Sequence, residues 1–267
     1  EKAHSLGIRV LLDGVFNHIS SRHFLFQDVL RNGMESKYYS CFYQLPAKPK
    51  LPAPGELPEY TCFSYVASMP KTNTADPYLR QYFCDVGVYW IREFDIDGWR
   101  LDVADELPVD FLRKLRAAAK AADPEAVVLG EVWEDASNKV AYGETRCYCT
   151  GDTLDSVMNY PVREAILNFV MGKTSASTFV RLIHHQEEVY PAQFRYALMN
   201  LVGSHDRCRA LNILAGRECQ ELSKADQQHV HLNVEEYELA VRRYKLCIDL
   251  LCALPGCATV YYGDEAG

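Results

Sequence analysis

The chain has 267 residues, 48% of them hydrophobic and 24% charged. That apolar fraction fills a sizeable core in one large domain or two modest ones, and it excludes a disordered or collagen-like chain. The 28 Lys and Arg against 36 Asp and Glu leave a net charge of −8. This diffuse acidity repels phosphate backbones and argues against a nucleic-acid partner, while leaving a neutral sugar open.

In chain order, residues 7–13 read as a buried strand that ends on the carboxylate of Asp13. From Phe16 to about Thr74 the pattern breaks, because Pro46, Pro49, Pro52, Pro54 and Pro58 forbid a continuous helix or central strand. So long a stretch is unusual as a mere loop, and residues 19–74 are expected to form an inserted subdomain. Asp76-Pro77 then opens a helix, an N-cap followed by Pro at the first helical position. It is predicted to run to Phe94, with Leu79, Tyr82, Phe83, Val86, Tyr89 and Trp90 on its apolar face. Strands are predicted over 97–102, 126–131, 154–158, 196–202 and 259–262, and helices over 108–122, 162–171, 177–189 and 235–254. The alternation of strand and helix predicts a parallel sheet with crossover helices.

Polar residues gather where these strands end: Asp13 and His18, Asp102, Glu131, and His205 with Asp206. That is where barrels and open α/β sheets collect their chemistry. The glycine fingerprints of dinucleotide and nucleoside-triphosphate sites are absent, as is Gly-x-Ser-x-Gly. The pattern therefore favours a (β/α)8 barrel, with residues 1–18 and 75–267 in it. Six strands can be counted, ending near Asp13, Asp102, Glu131, Met158, Val202 and Tyr262. The strand carrying Asp13 begins at once and the chain lacks an initial Met. The expectation is a piece of a longer polypeptide and an incomplete barrel without its first two βα units. Its outer strands would have free edges that invite self-association, and the isolated chain would be weakly active or inactive.

Carboxylates at neighbouring strand ends suit glycoside chemistry: one acid protonates the leaving oxygen, and a second carboxylate traps the oxocarbenium-like carbon. Arg100, two residues before Asp102, is expected to lower the pKa of Asp102 and keep it ionised, as a nucleophile requires. Glu131 ends the apolar run Val127-Val128-Leu129-Gly130, a setting that suits a group carrying a proton to the leaving oxygen. Taken singly, a strand-end Asp, a loop His or Trp133 has an ordinary structural reading; their recurrence at successive strand ends carries the chemical one.

Four segments resemble the signature regions of the α-amylase family of retaining glycoside hydrolases, in the family's order. They are Asp13-Gly14-Val15-Phe16-Asn17-His18, Gly98-Trp99-Arg100-Leu101-Asp102-Val103-Ala104, Gly130-Glu131-Val132-Trp133 and Asn200-Leu201-Val202-Gly203-Ser204-His205-Asp206. Met69-Pro70-Lys71-Thr72-Asn73 is similar to the segment closing the inserted domain of neopullulanases and cyclomaltodextrinases. Val260-Tyr261-Tyr262-Gly263-Asp264-Glu265 is similar to the family's last barrel strand.

The resemblance implies Asp102 as nucleophile, Glu131 as acid/base and Asp206 as transition-state stabiliser. It implies sugar contacts for His18, Arg100 and His205 and a sugar platform at Trp133, with Asp13 orienting Arg100 and Asn17 anchoring the insertion. Glu106 and Glu134 would line the acceptor side. Here the sequence departs from the subgroup, with Asp105-Glu106 for Asn-Glu and Glu134 for His. The implied substrates are malto-oligosaccharides, cyclodextrins, pullulan or starch, cleaved at α-1,4 bonds and, as an open second capacity, α-1,6 bonds. An α-glucan transferase using the same intermediate and a catalytically silent barrel are the alternatives. No cofactor is required; calcium is compatible with the pattern, although only Asn17 matches the family's calcium ligands.

No run reaches the ~18 apolar residues of a membrane span. The ten Cys show no CxxC pair, and the chain has too much core for a disulfide scaffold. They read as reduced thiols, with Cys84, Cys247 and Cys252 on apolar faces, which favours a reducing compartment such as the cytoplasm.

Overall fold

A computed structural model describes residues 1–217 and 219–266, in two compact units. The first comprises Glu1–Glu131 and Val140–Asp155; the second comprises Val132–Lys139 and Ser156–Gly267.

In the first unit, β1 (Leu11–Gly14), β2 (Gly98–Leu101) and β3 (Val127–Gly130) form a parallel sheet in that order. Leu11 pairs with Gly98 and Gly98 with Val127, while Gly14, Leu101 and Gly130 stand abreast at the other end. Flush C-terminal ends deliver whatever follows each strand to one edge of the sheet. The ladder carries on one residue further: the Asp102 amide donates to the Gly14 carbonyl at 3.1 Å and the Glu131 amide to the Leu101 carbonyl at 3.0 Å. Two sequence-distant carboxylates are thereby set on adjacent strand ends.

Helices α1 (Phe24–Asn32), α2 (Pro77–Phe94) and α3 (Val109–Ala122) also belong to this unit. Asp76 caps α2 as its position predicts, its Oδ1 accepting from the Leu79 amide at 3.0 Å. The buried face of α2 differs from the predicted one: Leu79, Phe83, Cys84, Gly87 and Ile91 are buried, whereas Tyr89 is exposed. Gly87 turns inward because the Trp99 indole N–H donates to its carbonyl at 3.2 Å. Phe16 packs at the centre of this core, its ring 5.1 Å from Phe83, 5.8 Å from Trp99 and 5.9 Å from Phe111.

The stretch from Phe16 to Thr74 is not without regular structure, since it contains α1. The prolines that argue against a helix all lie beyond Asn32, so they place no restriction on Phe24–Asn32. The spacing of Leu25, Phe26 and Val29 buries one stripe of α1, and Phe26 packs on Phe42 and Tyr60, both at 5.0 Å between centroids. The segment is stitched back through antiparallel bridges His18–Lys71 and Phe42–Thr72. A short hairpin, β4 (Val140–Ala141) with β5 (Glu144–Thr145), completes the unit.

The second unit has a parallel sheet of β6 (Ser156–Asn159), β7 (Met199–Asn200) and β8 (Cys257–Ala258). Its helices are α4 (Tyr160–Val170), α5 (Ala176–Val189), α6 (Ala192–Ala197), α7 (Ala210–Leu214), α8 (Lys224–Gln227) and α9 (Val234–Ala253). Val162, Ile166, Leu211, Leu214, Ala240 and Leu251 build its core. Asn233 and Glu236 form a reciprocal capping box at the start of α9.

Two predicted strands are shorter or displaced here. Residues 192–197 are helical, so the strand expected over 196–202 shrinks to Met199–Asn200. Beyond it, the Val202 carbonyl accepts from Arg163 Nε at 3.0 Å rather than from a neighbouring strand. The strand expected over 259–262 instead lies at Cys257–Ala258. Tyr261 and Tyr262 serve Arg209, whose guanidinium sits 4.6 and 5.0 Å from their ring centroids. All ten cysteines are free, and Cys84 and Cys247 are buried as expected. Cys252, expected on an apolar face, is exposed. No helix among the described residues is long and apolar enough to cross a membrane.

Candidate active site

In the first unit the site is organised by one guanidinium. Arg100 Nη1 donates to Asp13 Oδ1 at 2.8 Å and to Asp102 Oδ1 at 2.9 Å. Its Nη2 stands 3.0 Å from Glu131 Oε2, at ion-pair distance without the alignment of a hydrogen bond. The strand register explains the arrangement, because Asp13 lies directly opposite Arg100 and Asp102 is two residues further along the Arg100 strand.

Glu131 is 6% exposed, and Oε2 accepts from the Val103 amide at 2.8 Å. The Ala104 amide donates to the Glu131 carbonyl at 3.2 Å. Val103 is a β-branched residue held in the left-handed region, at φ 47° and ψ 52°. That conformation is strained, and it turns two successive amides towards Glu131.

Burial sets the protonation of Asp102. Removal from water raises its pKa, the Arg100 hydrogen bond lowers it, and the negative charges of Glu131 and Asp13 raise it further; the result is a raised value. The expectation that Arg100 holds Asp102 below the usual carboxylate range is therefore corrected. The same guanidinium is shared with two other carboxylates.

A second cluster in this unit centres on Lys71. Its Nζ donates to Asn17 Oδ1 at 2.9 Å and also pairs with Glu106 Oε2. The Thr72 amide donates to the Asn17 carbonyl at 3.0 Å, so Asn17 holds the inserted segment by side chain and backbone. His18, beside it, is buried and stacks on Phe63 at 4.6 Å between ring centroids. Burial, with the Lys71 charge, pushes the His18 pKa down, so the ring is neutral. Glu106 has both oxygens taken: Tyr142 donates to Oε1 opposite the Lys71 contact. Burial alone would raise its pKa, but those two donors hold it below the usual range. Lys71 and Tyr142 join this cluster without being among the predicted site residues. Lys71 is the cation of the quoted Met-Pro-Lys-Thr-Asn segment, and Tyr142 is marked only by the Tyr-Gly pair at a hairpin turn.

The second unit holds the remaining predicted residues. The Trp133 ring stacks on Tyr160 at 4.5 Å and 10° between planes, with the Arg207 guanidinium 4.4 Å from its centroid. Glu134 is exposed and pairs with Lys139. His205 Nε2 lies 3.3 Å from Asp206 Oδ2, and the Asp206 amide donates to Ser204 Oγ at 3.3 Å. Among the described residues, no group of three His, Cys, Asp or Glu side chains is arranged to hold a metal ion.

The whole chain, residues 1–267, matches the family model for the catalytic domain of alpha amylase. The chain belongs to the α-amylase family. Over 272 residues it is 39% identical to a cyclomaltodextrinase of Geobacillus thermopakistaniensis, which covers 100% of the chain and 40% of that protein. It is 33% identical to neopullulanase 2 of Thermoactinomyces vulgaris over 271 residues, again 100% of the chain and 40% of the relative. A solved structure of a cyclomaltodextrinase superposes with a TM-score of 0.81 at 36% identity, covering 100% of the chain and 40% of that structure. The chain thus spans about two fifths of the length of these relatives. The fold is an incomplete (β/α)8 barrel of the amylase type, with six parallel strands among the described residues, three in each unit, and the inserted segment follows β1.

Proposed function

We propose that the protein is a retaining glycoside hydrolase acting on α-1,4 glucosidic bonds, and also α-1,6 bonds, of malto-oligosaccharides, cyclodextrins, pullulan or starch. The observation that carries this reading is the shared grip of Arg100 on Asp102 and Glu131 at adjacent strand ends. In a retaining pair the two carboxyls lie about 5–5.5 Å apart, a separation one guanidinium can bridge. In the proposed first step, Glu131 protonates the glycosidic oxygen as an Asp102 oxygen bonds to the anomeric carbon. In the second, water attacks that carbon, Glu131 takes its proton, and Asp102 leaves with the bonding electron pair. Asp206 would hold sugar hydroxyls more tightly in the transition state, with His205 beside it. His18 would donate to the sugar as a neutral ring, Trp133 would offer its ring, and Glu106 and Glu134 would face the acceptor side.

The transferase reading keeps support from Glu106, whose carboxylate is held by Lys71 and Tyr142; on the acceptor side it would order a sugar hydroxyl as well as water. A silent barrel is disfavoured by the presence of all three carboxylates together with Arg100, His18 and His205. Every proposed step is performed by side chains and water. Calcium would serve only as a structural ion, and the one matching position does not fit: Asn17 Oδ1 already accepts from the Lys71 cation.

The free thiols suit a cytoplasmic setting. Within the chain as given, β1 pairs only with β2 and β8 only with β7 among the described residues. We propose that these edges make the isolated chain self-associate and leave it weakly active, which light scattering after gel filtration would test. The hydrolase reading is tested on the full-length protein by NMR of fresh maltotriose or cyclodextrin digests. The α-anomer released first supports it. The β-anomer, or no cleavage, contradicts it.

A further inference from the structure

Tyr142 occupies the first position of a two-residue hairpin loop. Val140 pairs with Thr145 and Ala141 with Glu144, leaving Tyr142 and Gly143 to turn the chain at φ 55° and 79°. Such a turn requires two left-handed residues and favours Asn-Gly. A bulky aromatic there is strained, and strain of this kind is retained at functional positions. The residue is 73% exposed, although its hydroxyl is bound to Glu106 Oε1. That bond pushes the phenol pKa up to about 12, so the hydroxyl stays a donor.

The turn bearing Glu106 is anchored on several sides. Its start, Val103 and Ala104, grips Glu131 through two amides. Glu106 itself is paired with Lys71. The chain after the hairpin clamps Asp105: Arg146 Nη2 donates to its carbonyl at 3.0 Å and Tyr148 to its Oδ1 at 2.6 Å. The exposed Tyr142 ring is therefore fixed, through Glu106, to the same short turn that holds Glu131.

We propose that Tyr142 is a sugar-stacking, specificity-determining residue on the leaving-group side of the cleavage site, its ring positioned by Glu106. This inference rests on the hydrolase reading above. In maltotriose cleavage, Glu131 gives its proton to the glycosidic oxygen, and the electron pair of the breaking C–O bond goes to that oxygen. Asp102 forms the new bond to the anomeric carbon, and the departing sugar is the one on the Tyr142 ring. In α-maltosyl fluoride the electron pair leaves with fluoride, and no sugar stands on that side.

The test compares kcat/KM on these two substrates for the full-length protein with Tyr142→Asn and Tyr142→Phe. Asn suits the turn and removes the ring; Phe keeps the ring and removes the hydroxyl. Loss of one aromatic contact predicts that Tyr142→Asn lowers kcat/KM for maltotriose about five- to tenfold. The same variant is expected to stay within about twofold of the unsubstituted protein on the fluoride; Tyr142→Phe, which keeps the ring but loses its tether to Glu106, is expected to lose about two- to threefold on maltotriose and little on the fluoride. No effect of Tyr142→Asn, equal losses on the two substrates, or a Tyr142→Phe loss as large as that of Asn would overturn the inference while leaving the hydrolase reading intact. If the unsubstituted protein cleaves neither substrate, the hydrolase reading fails and takes this inference with it.

Discussion

Asp13 and Asp102 are joined through a single nitrogen: Arg100 Nη1 lies 2.8 Å from one carboxylate and 2.9 Å from the other. Asp13 is half exposed, so its ion pair adds little to stability. What it does is hold the guanidinium in the plane from which it also reaches Glu131. Asp13→Asn is therefore expected to leave the melting temperature nearly unchanged and to lower kcat/KM by about tenfold, because a displaced orienting group costs catalysis more than folding. A large loss of melting temperature with activity per folded molecule intact would contradict this.

The raised pKa of Asp102 makes a signed prediction for pH. Its folded-state value lies above the unfolded one, so its contribution to stability is present below the unfolded pKa and is lost as pH rises through the folded pKa. Catalysis has the opposite dependence, since the nucleophile must be ionised. The acid limb of trapping by a 2-fluoroglycoside should lie above the ordinary aspartate range. Asp13 contributes a negative charge that raises the Asp102 value, so Asp13→Asn should move that limb down. A limb that stays put or moves up would contradict the charge arrangement.

Lys71 joins the inserted segment to Glu106 and Asn17 through two contacts that are largely shielded from water. Lys71→Met leaves the Glu106 carboxylate with one donor fewer. A destabilisation of about 1–3 kcal/mol is expected, in the range for lost bonds to charged groups. Urea unfolding measures it. Limited proteolysis should also cut residues 19–74 faster, and an unchanged midpoint with unchanged cleavage would show that the segment is held elsewhere.

Gly98 opens β2 at φ 144°, and a Cβ there would fall within the backbone of Val127. Gly98→Ala has to spread β2 from β3 just where the two strands enter register. Loss of several kcal/mol, or of soluble expression altogether, is the expected result, as for strain imposed on a closely packed backbone position (about 3 kcal/mol or more). A variant as stable as the unsubstituted chain would be inconsistent with this packing.

Sequence signals were most legible where one local cause dominates. Asp76-Pro77 announces α2 because a capping carboxylate and a proline act within a single turn. Asp13, Asp102 and Glu131 could be placed on strand ends because apolar runs stop at each of them. What remained hidden depends on partners distant in sequence. Helix α1 is capped by His23, whose Nδ1 accepts from the Leu25 amide at 3.3 Å, and not by the Ser, Thr, Asp or Asn that a reader looks for. Tyr261 and Tyr262 look like strand residues until Arg209 is seen against them. The pKa direction of Asp102 depends on burial and on two carboxylates from other strands, neither of which Arg100 at i−2 reveals. Tyr142 gains its meaning only when Glu106, 36 positions earlier, is found at its hydroxyl.

Asp102 is proposed to attack the anomeric carbon. The most direct measurement is mass spectrometry of the full-length protein after incubation with a 5-fluoro-α-glucosyl fluoride, followed by peptide mapping. One added glycosyl group is expected on the peptide containing Asp102, with labelling abolished in Asp102→Asn and retained in Glu131→Gln, because fluoride departs without a proton. Labelling at another carboxylate, or turnover of maltotriose that persists in Asp102→Asn, would contradict it.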